Sequence, residues 1–372
     1  MTTLPSNGVR SGSLRKTLLV ALLVAGCGTT VTQFARHEAA AERAYGAGRY
    51  DEAASEWAQA ARSAARSGQR DEARYRRAAS LSRAGRFEQA RAALEELLRD
   101  SPKGPRSARA AYDRAVLSIE HGSNGRGYVE LDAMLRTYPD AGVAGAALER
   151  YLDWLLPRGE EAVRAYLGSL ASVEGTELGE KVLYETARSL ERSSDPRAAR
   201  DAFERVAARY PYPTGVLWDD ALWNAADLDV KLDEPEKAIA LLSQLLSRRE
   251  TAYVQGSYER SRYAEAEFRI AELYRDRLAD VPRARAAFER LWEAHPNSRL
   301  RDDAKWNAAT LAIALGDEVG ACRDLAQLVA GDPTSRYVAC ATKLCPSLEL
   351  PGGAGACHDY VVRGRAARAG EP

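Results

Sequence analysis

The chain has 372 residues, and its 53 Lys and Arg residues are balanced by 53 Asp and Glu residues, so the formal net charge is zero. Without a basic or acidic excess, the composition gives no reason to expect nucleic acid as a partner. Only 8% of the residues are aromatic, and runs of alternating Val, Ile and Thr are absent, which favours an all-helical protein over one that contains a sheet.

An apolar run lies close to the N-terminus, at residues 17–25. It is shorter than the ~20 residues that a membrane-spanning helix needs. Basic residues before the run and small residues after it are typical of a secretory signal peptide. The stretch Val-Ala-Gly-Cys that ends at Cys27 resembles the lipobox of bacterial lipoproteins. The resemblance implies a lipoprotein signal peptide over residues 1–26, lipidation of Cys27 and a lipidated tether over residues 27–34. An ordinary signal peptide with a chance cysteine is the alternative.

The residue after Cys27 bears on the compartment. In lipoproteins of Gram-negative bacteria, an Asp at this position resembles a signal for retention in the inner membrane, and this chain has Gly28 there. The resemblance therefore implies a lipid anchor in the outer membrane, with the protein facing the periplasm.

A repeat of about 37 residues runs through residues 35–334. Each unit has a small anchor residue and a large residue four positions later, and five units have a proline twelve positions after the anchor. The anchors are Ala53, Ala90, Gly127, Ala162, Ala199, Ala238, Ala284 and Ala321. Upstream of six anchors, an aromatic residue is followed three positions later by Ala; these aromatic residues are Tyr75, Tyr112, Tyr184, Trp223, Phe268 and Trp306. Each unit is predicted to be a helix A, a tight turn and a helix B that ends at the proline.

This pattern resembles the tetratricopeptide repeat (TPR), which has small, small, large and proline positions over two antiparallel helices. The resemblance implies an all-α fold, a right-handed TPR-like α-solenoid of about eight helix-turn-helix units. The fourth unit, around Ala162, lacks both the aromatic-x-x-Ala pair and the proline. The step from Ala238 to Ala284 is 46 residues instead of 37, which predicts a longer loop or helix A between residues 246 and 263.

Four cysteines lie near the C-terminus: Cys322, Cys340, Cys345 and Cys357. In an oxidising compartment an even cluster indicates disulfides. Residues 335–358 are predicted to be a capping helix, at about 335–344, and a cysteine-containing loop. Three pairings are possible. We favour one in which Cys322–Cys340 fastens the cap to the array and Cys345–Cys357 closes the loop.

A zinc site is the alternative use of these cysteines. Cys340, Cys345 and Cys357 would ligate the ion together with His358, but an adjacent Cys and His do not easily point at one metal. The favoured prediction is therefore no metal. Residues 359–372 are small and basic and are predicted to be a disordered tail.

No other residue pattern indicates catalysis. The four histidines are scattered, and the sequence contains neither a G-x-S-x-G motif nor a glycine-rich phosphate loop. We therefore expect a protein that is not an enzyme, has no cofactor and does not bind a small molecule.

The TPR resemblance implies a concave surface, lined by helices A, that binds protein partners. The envelope lipoproteins that the chain resembles are the TPR lipoprotein of outer-membrane β-barrel assembly and the TPR protein that works beside Tol-Pal. They imply a lipid-anchored scaffold in envelope assembly or division. The predicted partner-binding residues on helices A are Tyr184, Trp223, Trp306, Asp220, Asp227, Lys305 and Asn307, of which the polar four are expected to be more exposed. The aromatic residues either pack between units or stack on a glycan, and a glycan- or peptidoglycan-binding envelope protein is the alternative function.

Overall fold

The computed structural model describes residues 32–122, 124–248, 261–350, 352 and 355–361. The predicted signal peptide, the lipidation site at Cys27 and most of the predicted tail lie outside the described residues. So does most of the segment between residues 246 and 263, where the sequence predicts a longer loop or helix A. Among the helices of the described residues, none is long and apolar enough to cross a membrane.

The described residues form sixteen α-helices and no β-strand. They divide into two compact units, Met1–Ala147 and Leu148–Pro372. The helices of the first unit are α1 (Gln33–Gly46), α2 (Tyr50–Ser63), α3 (Ser67–Arg83), α4 (Phe87–Asp100), α5 (Ser107–His121) and α6 (Asn124–Thr137). Helix α7 (Ala144–Leu155) begins at the end of the first unit. The second unit continues with α8 (Glu160–Ser169), α9 (Glu177–Arg192), α10 (Pro196–Arg209), α11 (Trp218–Lys231), α12 (Pro235–Leu246), α13 (Ser261–Asp276), α14 (Val281–Ala294), α15 (Arg301–Ala314) and α16 (Glu318–Gly331).

Odd-numbered helices correspond to the predicted helix A and even-numbered helices to helix B. Within the described residues they make eight consecutive pairs. The prediction of an all-α TPR fold with about eight helix-turn-helix units is therefore confirmed. The weak fourth unit, α7 and α8, keeps the pairing, but α8 has only 10 residues, and a 3₁₀ helix at Ala171–Val173 follows it in place of a proline break.

The turn between helix A and helix B needs a residue with positive φ, five positions before the anchor. In three turns this residue is a glycine: Gly48, Gly85 and Gly316, with φ of 75°, 74° and 76°. In three turns of the second unit it is another residue: Ser194, Asp233 and Ala279, with φ of 61°, 61° and 51°. In these three turns the following helix B begins with a proline in its first turn. Proline suits that position because its fixed φ is helical and its missing N–H has no partner there to lose.

The anchors lie where helix B approaches helix A. Six of them are alanines with no exposed surface: Ala53, Ala90, Ala199, Ala238, Ala284 and Ala321. At Gly127, an added Cβ would lie 2.4 Å from Cγ1 of Ile119 and 2.9 Å from the carbonyl oxygen of Ala115, so a larger residue would push α5 and α6 apart. The large residue four positions later is buried in seven units: Trp57, Leu94, Leu131, Phe203, Leu242, Phe288 and Leu325.

Carboxylates near the start of helix A bind the loop that enters the next unit. Glu180 of α9 accepts hydrogen bonds from the backbone N–H groups of Val216, at 3.1 Å, and Leu217, at 2.8 Å. Two serine–carboxylate hydrogen bonds take the same place in other units: Ser101 to Asp71 at 2.9 Å and Ser335 to Asp302 at 2.8 Å. These bonds satisfy polar groups of the loops and fix the spacing of neighbouring units.

Two disulfides fasten the C-terminal segment to the last unit. They join Cys322 of α16 to Cys345 and Cys340 to Cys357, so the predicted pairing, Cys322–Cys340 with Cys345–Cys357, is wrong. The predicted capping helix is shorter than expected, a 3₁₀ helix at Val338–Lys343. Beyond it the chain returns to α16, which places the Cα atom of Cys345 at 5.2 Å from that of Cys322.

Candidate partner-binding cleft

The aromatic residues of helices A are covered by other side chains. Arginine guanidinium groups lie over three of the rings: Arg106 over Tyr75, Arg109 over Tyr112 and Arg262 over Trp223, at 5.1, 5.7 and 5.0 Å from the ring centroids. The other three contact aromatic rings: Tyr184 with Phe203, Phe268 with Phe288 and Trp306 with Tyr337. These contacts agree with the packing interpretation, and no observation on the rings favours stacking on a glycan.

Two of the predicted partner-binding carboxylates pair with the neighbouring helix A of the second unit. Asp220 of α11 lies 2.7 Å from the guanidinium of Arg262 on α13, and Asp227 lies 3.8 Å from that of Arg269. Both carboxylates are half-buried. This part of the helix-A surface is therefore closed by ion pairs of its own.

The predicted residues of α15 contact their own unit more than expected. Lys305 is 4% exposed and donates to Asp324 at 2.9 Å, so the expectation that it is exposed is wrong: its ammonium group points into the helix pair. Trp306 is also buried, and it stacks on Tyr337 of the C-terminal segment. Asn307 is half-buried and accepts a hydrogen bond from Arg275 at 2.6 Å.

A cleft of about 600 Å³ opens in the first unit, across helices α1, α3 and α5. We call it the first-unit cleft. Trp57, Leu94 and Leu117 are buried beneath it, and Tyr45 and Tyr75 are half-buried at its wall. Charged residues from all three helices line it as well: Glu42, Arg76, Arg83, Arg109, Asp113 and Glu120. The cleft therefore combines an apolar floor with a rim that carries both signs of charge.

Small side chains explain why the cleft is open. The residues four positions after the aromatic residue of helix A are Ala79 in α3 and Val116 in α5, and both line the cleft. The corresponding residues of the second unit are longer or more polar: Arg188, Asp227, Glu272 and Thr310. Asp227 and Glu272 both pair with Arg269. The open position is thus a property of the first unit.

The wall of the cleft is held by a network around Tyr75. The hydroxyl of Tyr75 donates to Asp113 at 2.8 Å, and Arg109 donates to the same carboxylate at 3.0 Å. Burial and the Asp113 carboxylate together raise the pKa of Tyr75 to about 12. Burial would raise the pKa of Glu72, but hydrogen bonds from Arg106 and Arg76 hold it below the usual value. The network leaves Tyr75 protonated and Glu72 ionised at neutral pH.

The sequence analysis missed the first-unit cleft because all its partner-binding candidates lie in the second unit. The relevant signal was present in the repeat register. Comparison of the position four residues after each aromatic residue separates Ala79 and Val116 from the longer or more polar residues of the second unit. The chain has no cluster of three or more His, Cys, Asp or Glu residues arranged to hold a metal ion in the described ranges, and its four C-terminal cysteines are bonded to each other.

Comparison with known proteins gives matches to repeat proteins. A tetratricopeptide repeat family model matches residues 72–104, 181–211 and 265–298, which fall mainly on α3–α4, α9–α10 and α13–α14. No curated protein matches the chain.

Three of the similar solved structures illustrate how distant the relatives are. A tetratricopeptide repeat protein from Parabacteroides merdae is 13% identical, with 74% of this chain and 98% of that chain covered and a TM-score of 0.31. YrrB, described as a TPR protein with an unusual peptide-binding site, is 14% identical, with coverage of 67% and 97% and a TM-score of 0.30. PilW, a type IV pilus biogenesis factor, is 18% identical, with coverage of 71% and 94% and a TM-score of 0.28. The eight helix pairs and the three segments that match the family model identify the chain as a protein built from tetratricopeptide repeats.

Proposed function

We propose that this TPR protein is a lipid-anchored scaffold of the cell envelope, which holds a peptide segment of a protein partner in the first-unit cleft. The observation that carries the proposal is the cleft itself, with its volume of about 600 Å³ and its apolar floor. Ligand sites are typically concave and mostly apolar, with a few polar groups that set orientation. TPR proteins generally act as scaffolds for protein–protein interaction, and the cleft supplies a surface for that role.

The dimensions of the cleft suit a short segment. Neighbouring packed helices lie about 8–10 Å apart, so three consecutive helices A give a cleft roughly 16–20 Å long. An extended peptide rises about 3.3 Å per residue, so that about six residues would cross the cleft. A segment of this length can belong to a loop or a terminus of a partner, and recognition by side chains of three helices makes affinity depend on their spacing.

The lipid anchor is proposed from the lipobox resemblance at Cys27. Helix α1 begins at Gln33, six residues after Cys27. Six residues reach at most about 21 Å, so the first unit and its cleft would lie close to the membrane surface. The proposed partner is therefore an envelope protein, and envelope assembly or cell division is the proposed setting.

Photo-crosslinking in cells tests the binding site. A photoreactive phenylalanine analogue is placed at Val116, in the cleft, and in a matched protein at Val129 on α6, which is 70% exposed. The expected result is a protein adduct of defined mass from Val116 alone. Ala79→Arg, which fills the cleft, should weaken the adduct, whereas Gln89→Arg on the exposed side of α4 should not.

Other outcomes would contradict the proposal. An adduct from Val129 alone, or no adduct from either position, would show that the cleft is not the binding site. Retention of the protein by purified cell wall, without any protein adduct, would instead favour the glycan-binding alternative.

Fractionation of cells tests the anchor separately. The wild-type protein should sediment with the outer membrane, and Cys27→Ser should release it into the soluble fraction, because the thiol that accepts the lipid is gone. Mass spectrometry of the mature N-terminus then checks whether Cys27 is the first residue and is acylated. A soluble wild-type protein with an unmodified Cys27 would contradict the anchor and leave the cleft proposal standing.

A further inference from the structure

The charged residues of the first-unit cleft are not equally available to a partner. Arg76 donates to Glu72 at 2.8 Å, and Arg109 donates to Asp113 at 3.0 Å, so these arginines are already neutralised. Among the lining residues, Glu42 and Arg83 are exposed. In the described part of the chain neither forms an ion pair or a hydrogen bond through its side chain, and the only charge that acts on Glu42 is the like charge of Glu38.

The repeat register places these two charges on either side of the apolar floor. Units one to three are spaced by 37 residues, so Glu42 of α1 corresponds to Ala79 of α3 and to Val116 of α5. Arg83 lies four residues after Ala79, one helical turn along the same face of α3. Gly46, in register with Arg83 on α1, has open space where a Cβ would be, so no side chain separates the Arg83 position from the α1 wall.

On this basis, and resting on the proposed function, we propose that the first-unit cleft selects a bipolar peptide. An apolar side chain of the peptide would pack on Ala79 and Val116. A basic side chain on one flank would face Glu42, and an acidic side chain on the other flank would face Arg83. Rim charges contribute modestly to affinity and more to the choice of partner and its direction, so the two residues would act as specificity determinants.

Defined peptide pools test the proposal on the full mature chain, with Cys27→Ser so that the protein stays in solution. Each pool contains seven-residue peptides, acetylated and amidated to remove terminal charges, with a central Leu and neutral variable positions. Two positions that flank the Leu are Lys and Asp in either order, both Asp, both Lys, or both Ser. Fluorescence anisotropy then ranks the pools.

One of the two Lys/Asp pools should bind the wild type most tightly, by about threefold to tenfold over the Ser pool, the range expected for one or two exposed charge contacts. Arg83→Glu leaves two acidic groups and should shift the preference to the doubly basic pool. Glu42→Lys leaves two cations and should shift it to the doubly acidic pool. Arg62→Glu and Glu95→Lys, at exposed positions of α2 and α4 outside the cleft lining, should leave the wild-type ranking unchanged.

The outcomes separate this proposal from the proposed function. If all pools bind equally and Ala79→Arg abolishes binding, the cleft binds peptides but Glu42 and Arg83 do not select them, and the inference is overturned alone. If the charge-inverted variants keep the wild-type ranking, the inference is overturned as well. If no pool binds the wild type, both the bipolar preference and peptide binding in the cleft are contradicted.

Discussion

The buried ion pair between Lys305 and Asp324 allows a direct test of how the last two units pack. Both residues are almost fully buried, and their charged atoms are 2.9 Å apart. The second carboxylate oxygen of Asp324 accepts from Arg285 of α14 at 3.2 Å. Asp324→Asn keeps the shape of the side chain and removes its charge, so the ammonium group of Lys305 would remain buried without a carboxylate.

The two partners differ in what their removal leaves behind. Leaving one member of a buried pair uncompensated typically costs about 3–5 kcal/mol, and we expect about 3 kcal/mol for Asp324→Asn. Lys305→Met should cost only about 1 kcal/mol, because Asp324 keeps Arg285 as a partner. The double variant should be about 2 kcal/mol more stable than Asp324→Asn alone, because the unpaired ammonium group is removed. Arg285 retains Asp317, at 2.7 Å, in every variant.

Urea and thermal unfolding, followed by circular dichroism with the disulfides intact, measure these differences. In a unit of 150–250 residues, about 3 kcal/mol corresponds to a fall in Tm of about 6–12 °C. Glu174→Gln is the control, because Glu174 and Arg209 form an exposed pair at 3.0 Å whose loss should cost under about 1 kcal/mol. The reasoning is refuted if Asp324→Asn is no worse than the control, or if the losses of the two single variants add up in the double variant.

Two further predictions concern the alkaline limit of stability and the cysteines. The pKa of Tyr75 is about 12 in the folded chain and near 10 when unfolded, so its contribution to the free energy of unfolding is complete below about pH 10 and is lost as the pH rises to about 12. Urea unfolding across this range should show a shallower alkaline loss for Tyr75→Phe, and an identical loss in both proteins would contradict the assignment. Mapping of peptides under non-reducing conditions should recover Cys322 linked to Cys345, and Cys322→Ser with Cys345→Ser should lower the free energy of unfolding by about 3 kcal/mol. A peptide that links Cys322 to Cys340 would contradict the observed pairing.

The sequence was sufficient for the helix pairs because each one repeats the same local requirements. A small anchor, such as Ala284, and a large residue one turn later, such as Phe288, have no freedom once two helices pack closely, and both are fully buried. The position of positive φ, five residues before the anchor, was less evident. Glycine marks it at Gly48, but Ser194 occupies it at φ of 61°, and a serine gives no signal of that conformation in sequence.

The site was harder to predict because it depends on what is missing rather than on what is present. Aromatic residues such as Trp223 attract attention in a sequence, but they are also the residues that packing uses most, and Arg262 covers Trp223 here. The first-unit cleft arises instead from Ala79 and Val116, which are unremarkable by themselves. They gain meaning only against the longer or more polar residues that take the corresponding positions in the second unit.

The register also explains the disulfide pairing that the sequence analysis got wrong. The residue after the anchor of helix B reaches the following unit: Arg200 contacts Asp229 of α11 at 3.2 Å, and Arg285 contacts Asp317 at the start of α16 at 2.7 Å. In the last unit this position is Cys322, and no further helix pair follows it in the described residues. Its side chain therefore meets whatever segment closes the end of the array. Because Val338–Lys343 is a short 3₁₀ helix, that segment brings Cys345 to α16, while Cys340, fully buried, is left for Cys357. The same position thus joins successive units by an ion pair inside the array and by a covalent bond at its end.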